Sequence, residues 1–102
     1  MIFCYHDVYN MVTKTNHMLV LVHANWCPHC LAKNPELRRV WKECETEMPN
    51  VIAIEEKRAR SKFPSLMKHV SYYPTLLKVH SNGRVTKCKK QLSKKAIEDF
   101  NK

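Results

Sequence analysis

The sequence predicts an α/β domain in which a central mixed sheet of four to five strands is flanked by helices, in the order β-α-β-α-β-α-β-β-α. Three observations carry this. Two continuous apolar runs, "HMLVLVHA" (17–24) and "VIAIEE" (51–56), are separated by a stretch of helical periodicity. That arrangement demands parallel strands joined by a right-handed crossover. Two later strand-like segments flank Asn82-Gly83, the strongest short hairpin signal, which adds an antiparallel edge. With 102 residues, 44% of them hydrophobic, the chain is long enough for one layered core and too short for two, so residues 1–102 form a single domain.

Residues 2–5 can form a short first strand. Asp7 then caps a helix carrying Val8, Met11, Val12 and Thr15 on one side. Residues 17–24 lack alternation, as a strand covered on both faces does. In the following helix, Leu37, Val40, Trp41, Cys44 and Met48 form an apolar stripe, with Pro35 expected to kink the helix early. Cys44 and Trp41 on this stripe read as core. After the second buried strand, Phe63, Leu66, Met67 and Val70 give a short helical face, with Ser61 as its cap and Pro64 in its first turn. The glycine of Asn82-Gly83 is the only one in the chain. A last helix starts from Ser93, with Leu92 and Ile97 spaced as a hydrophobic staple.

Eighteen basic residues against nine acidic ones give a net charge of +9 with neutral histidines. Such a charge concerns partners: nucleic acid, acidic membranes or acidic proteins. The longest apolar run is far too short to cross a bilayer. The start, "MIFCYHDVYN", does not read as a secretory signal and "DFNK" is not a retention signal, so the expectation is a cytoplasmic protein, with the virion as the alternative for a viral one. Five cysteines, an odd number, leave at least one thiol unpaired. A close cysteine pair then gains weight as catalytic or metal-binding.

That pair lies in "NWCPHC" (25–30). Two cysteines separated by two residues in a first helical turn bring their Cα atoms within disulfide reach. Free N–H groups and the positive helix end favour a thiolate at Cys27, expected to be the more exposed sulfur, with Cys30 a turn deeper and able to resolve a mixed disulfide. Pro28 has no N–H to lose at an early helical position. His29 can donate a hydrogen bond or a charge to the Cys27 sulfur; the alternative is an exposed helix-start side chain. A zinc site would need two further ligands. Cys44 and Cys88 stand alone, and His17, His23, His69 and His80 lack ligand spacing, so neither a metal nor a cofactor is expected. Cys4 and Cys88 fall on strands, where either could be exposed and form a regulatory or intermolecular disulfide.

With this motif between an apolar strand and a helix, the chain resembles the thioredoxin fold over nearly its whole length. "LVLVHANWCPHC" is similar to the strand-to-site segment of thioredoxins and protein disulfide isomerase domains, Pro35 to the family's helix proline, and "YYPTLLKVHSNGR" to the isomerase loop with its cis proline and final hairpin. The resemblance implies a cis Tyr73-Pro74 bond against the two sulfurs. It implies a substrate-binding surface from Trp26, Pro28, Tyr73, Pro74 and Thr75, where main chain pairs with an extended client. It implies a catalytic set of Cys27, Cys30 and His29. Pro-His between the cysteines resembles bacterial periplasmic oxidases of the DsbA type, although their inserted helical domain has no room here.

Three positions depart from the family. The buried acid six residues before the first cysteine is Leu21, the lysine that pairs with it is replaced by Ile54 within one residue of alignment, and a glycine before the last helix is Lys90 or its neighbour. Losing both charges together avoids an unpaired buried charge, at the expense of a proton shuttle.

The function expected is thiol-disulfide exchange with protein substrates through Cys27 and Cys30, with an oxidising bias and a redox partner that resets the pair. "KRARSK" (57–62) and "KCKKQLSKK" (87–95) should form a basic rim at the carboxyl end of the sheet, recruiting acidic clients; the plainer reading is a solvated basic surface. A basic nucleic-acid-binding module and a redox-inactive thioredoxin-fold adaptor are the alternatives.

Overall fold

The computed structural model describes residues 17–27 and 33–102. The strand expected at 2–5, the helix after Asp7, Cys4, and the Pro28, His29 and Cys30 of the motif lie outside the described residues.

Four strands form one sheet: β1 (His17–His23), β2 (Val51–Glu55), β3 (Thr75–His80) and β4 (Val85–Lys87), in the order β2-β1-β3-β4. β1 runs parallel to β2, in a register from Leu19 opposite Val51 to His23 opposite Glu55. It runs antiparallel to β3, which pairs antiparallel with β4. β1 is thus internal and covered on both faces, which is why residues 18–22 are all apolar and at most 1% exposed.

Alternation along β1 splits the core in two. Met18, Val20 and Val22 join Ile52, Ile54 and Leu77 beneath α2 (Glu56–Lys62) and α3 (Pro64–Met67), which supply Ala59 and Leu66, with Phe63 between them. Leu19 and Leu21 join Val51 and Leu76 beneath α1 (Pro35–Glu47) and α4 (Lys94–Phe100), which supply Trp41, Cys44 and Ile97. Burying each such side chain contributes about 1.5–3 kcal/mol before the entropy of ordering it. Lys94 ties the second pair of helices together through Glu47 at 3.0 Å and Glu43 at 3.5 Å.

The structure departs from expectation at four places. Pro35 is the first residue of a described helix rather than a point inside one, and residues 28–32 before it lie outside the described residues. Asn34 is extended (φ −119°, ψ 96°), as a residue before proline prefers, and its side-chain oxygen accepts the Leu37 N–H at 3.2 Å. Residues 56–62 form a helix with no loop after β2. Glu55 caps it by accepting the Lys57 N–H at 3.0 Å, so Ser61 lies inside a helix rather than capping the next one. Cys88 follows β4 and is buried, because its N–H donates to the Leu76 carbonyl at 2.9 Å and prolongs the pairing inward.

The fourth concerns the lost charge pair. Ile54 faces the opposite side of the sheet from Leu21, and the neighbour of Leu21 on β2 is Ala53. Period-two alternation makes that one-residue difference decide which core is involved. The replacement is therefore Leu21 with Ala53.

The hairpin closes through residues 81–83. Gly83 donates to the His80 carbonyl at 2.9 Å, Arg84 N–H donates to the Asn82 side chain at 3.0 Å, and Gly83 adopts φ +87°, open only to a residue without Cβ crowding. Ser93 caps α4 by accepting the Ala96 N–H at 3.1 Å, and Leu92 packs in the same cluster as Ile97.

Candidate functional site

The end of β1 delivers the motif. After His23 the chain turns at once: the Cys27 N–H donates to the Ala24 carbonyl at 3.1 Å, which folds Asn25 and Trp26 outward and Cys27 inward. The Cys27 side chain packs with Ala24 against Tyr73, and its Sγ–H donates to the Tyr73 carbonyl at 3.5 Å. An exposed sulfur was expected; only 6% of Cys27 is open, because this loop covers it. The Tyr73–Pro74 peptide bond is cis.

Trp26 is 58% exposed and meets the Tyr73 ring edge-on, with centroids 5.6 Å apart. Trp26, Cys27, Tyr73 and Pro74 thus come together although 46 residues separate the motif from the loop. Thr75 is turned inward: it is buried, and its hydroxyl donates to the Tyr72 carbonyl.

Sequence reasoning missed the residue that organises this surface. Glu56, the first residue of α2, is buried, and its carboxylate accepts the Trp26 indole N–H. Arg60, one turn on, approaches Glu56 at 3.6 Å and donates to the Tyr73 hydroxyl at 3.4 Å. The hydrogen bond from Trp26 holds the Glu56 carboxyl below the usual range, with Tyr73 and Arg60 adding to it against the opposing effect of burial. Burial first, then Glu56, pushes the Tyr73 phenol up. The signal available was Glu55-Glu56 at the carboxyl end of a buried strand: the parallel register places His23 beside Glu55, and the acid that follows lands near Trp26.

The same end holds His23, whose Nδ1 is buried without a hydrogen-bond partner among the described residues. Desolvation lowers its pKa, partly offset by Glu55. Cys44, in the core under α1, has its thiol pushed up chiefly by burial and further by Glu98, as suits an inert packing residue.

A family model for thioredoxin matches residues 5–102. The chain belongs to the thioredoxin family. Among solved structures, this thioredoxin domain is similar to the first thioredoxin domain of mouse protein disulfide-isomerase A4, at 20% identity and a TM-score of 0.65, covering 98% of this chain and 74% of that one. The first two thioredoxin domains of Saccharomyces cerevisiae Eps1p give 13% and 0.66, over 99% of this chain and 39% of theirs. The J-Trx1 fragment of ERdj5 gives 22% and 0.67, over 96% and 46%. The chain therefore spans less than half the length of the last two. At these identities the likeness is one of fold. Comparison with curated proteins gives no match. No helix among the described residues is long and apolar enough to cross a membrane.

Proposed function

We propose that this thioredoxin domain is a thiol-disulfide oxidoreductase that exchanges disulfides with protein substrates through Cys27 and Cys30. The observation that supports it most is the placement of the Cys27 sulfur 3.5 Å from the Tyr73 carbonyl, beside an exposed tryptophan and next to Pro74. An extended client laid along residues 72–74 would bring its own sulfur to Cys27 while its main chain meets the loop.

In the cycle, a client thiolate attacks Cys27 of the Cys27–Cys30 disulfide. That bond breaks, a mixed disulfide forms at Cys27, and Cys30 leaves as a thiolate that takes up a proton. The second client thiolate then attacks the client sulfur and expels Cys27. The client loses two electrons and the dithiol gains them; a second disulfide, carried by a redox partner, must take them away.

A histidine between the two cysteines, if its imidazole donates to the Cys27 thiolate, favours the reduced pair, hence an oxidising bias. A reduction potential nearer −120 mV than about −270 mV is expected against glutathione. Cys27→Ala should abolish oxidation of a dithiol peptide, and surviving activity would refute the assignment.

The adaptor reading has one observation in its favour: among the described residues, Leu21 and Ala53 pair in an apolar cluster that contains no acid or base. It predicts client binding that is indifferent to replacement of both motif cysteines.

A further inference from the structure

Next to the Cys27 loop lies a groove of about 710 Å³, bounded by the start of α1, by residues 72–74 and by residues 90–94. Tyr73 and Pro74 belong both to this groove and to the surface around Cys27, so a client segment can run from one into the other.

Charge divides the groove. Lys90 lines it. Lys87 places its ammonium 5.1 Å over the ring of Tyr72, another lining residue, and donates to Ser71 Oγ at 3.2 Å. No described carboxylate lies within ion-pair distance of Lys87 or Lys90, whereas Lys94 in the same groove is already held by Glu43 and Glu47. Glu36, on the α1 side, is the acid in the lining. The lysine segment is also fixed in place: buried Cys88 donates its Sγ–H to the Lys90 carbonyl at 3.9 Å and its N–H to Leu76. Cys88 is thus an anchor for the basic segment.

We infer that the groove takes an extended acidic segment flanking the client's reactive cysteine, with its carboxylates toward Lys87 and Lys90 and a non-acidic residue toward Glu36. An extended chain advances roughly 3.3 Å per residue, so the acid should fall within a few residues of the cysteine. This rests on the exchange reading and names its substrate class. Two exposed charge pairs of ordinary strength together give about a tenfold preference, or about 1.4 kcal/mol.

The test uses two dithiol peptides that differ in carrying Glu or Lys at the flanking positions, and reads the ratio of their kcat/KM. The intact chain should favour the acidic peptide about tenfold at low salt, with the ratio shrinking as salt rises. The Lys87→Glu/Lys90→Glu variant should invert the ratio, and Glu36→Lys should enlarge it. Equal turnover of both peptides by the intact chain would overturn the inference while leaving the exchange reading standing. A second arm follows NMR shifts at Tyr72 and Leu92 with the cysteines of each peptide changed to serine. Shifts with the acidic peptide alone support the groove even where no exchange occurs, an outcome that sinks the exchange reading instead. Absence of shifts with either peptide, or displacement of the acidic peptide by single-stranded DNA that binds tighter, would overturn the groove assignment.

Discussion

Putting the family's buried acid back at position 21 should destabilise this chain in a strongly pH-dependent way. Leu21 is fully buried among Leu19, Trp41, Cys44 and Leu76, with Ala53 beside it on β2. A glutamate there has no cation to meet, so burial should lift its folded pKa above 7. Its unfolded pKa is about 4.3, so keeping it neutral at pH 7 spans about 2.7 pH units, or about 3.7 kcal/mol. At pH 5 the same cost is about 1 kcal/mol. Because the folded pKa is the raised one, the loss grows as pH rises above the unfolded value. Urea denaturation of Leu21→Glu and the parent chain at pH 5 and pH 7 should therefore show a stability gap that widens by about 2.7 kcal/mol. Adding Ala53→Lys should recover much of the pH 7 loss, because that side chain shares the face. Adding Ile54→Lys should not, because it enters the other core. A gap equal at both pH values, or rescue by position 54 and not 53, would refute both the sealed core and the register.

Replacing Glu56 by Gln should lower stability at neutral pH and matter progressively less in acid. Its folded pKa lies below the ordinary value, so its contribution is complete above that value and is lost as pH falls through the folded one; urea midpoints between pH 3 and 6 would show this. His23, half-buried with its pKa lowered, works in the same direction at higher pH. Its pKa is lowered, so stability is complete above about 6.5 and declines as pH drops below it, and His23→Leu should flatten melting temperatures between pH 7 and 5. Gly83→Ala should cost about 1–2 kcal/mol by denaturant titration, all of it from the left-handed backbone, since nothing lies within 4 Å of the added Cβ.

The elements legible in the sequence are those with a one-dimensional signal. β1 and β2 are apolar because both faces are covered, the hairpin is written in Asn82-Gly83, and α4 in the Ser93 cap with its Leu92–Ile97 staple. α2 is illegible for a physical reason. Apart from Glu56 it buries only Ala59, so no apolar stripe appears in "EKRARSK", and its cap is the last residue of the preceding strand. Asn34-Pro35 could have been read as a cap and first helical residue, but starting the helix at the cysteine motif carried it through that pair.

At the site, Trp26, Cys27, Tyr73 and Pro74 were legible through family resemblance, and the structure brings those four together. Glu56 and Arg60 were not legible as organisers of that surface, since their contacts depend on the parallel register and the immediate turn into α2. The basic segments illustrate the same limit. Arg60 is partly occupied by Glu56, and Lys94 by Glu43 and Glu47, whereas no described carboxylate pairs with Lys87 or Lys90. Counting charges along the chain cannot make that distinction.

The most direct measurement uses Cys30→Ser, which can form a mixed disulfide but cannot resolve it, incubated with a disulfide-bonded client peptide. Attack by the protein's thiol breaks the client's disulfide, releases one client thiol and leaves the other half attached; intact mass and proteolytic mapping locate it. The account predicts a single adduct on Cys27. An adduct on Cys4, Cys44 or Cys88 in its place, or no adduct, would contradict it.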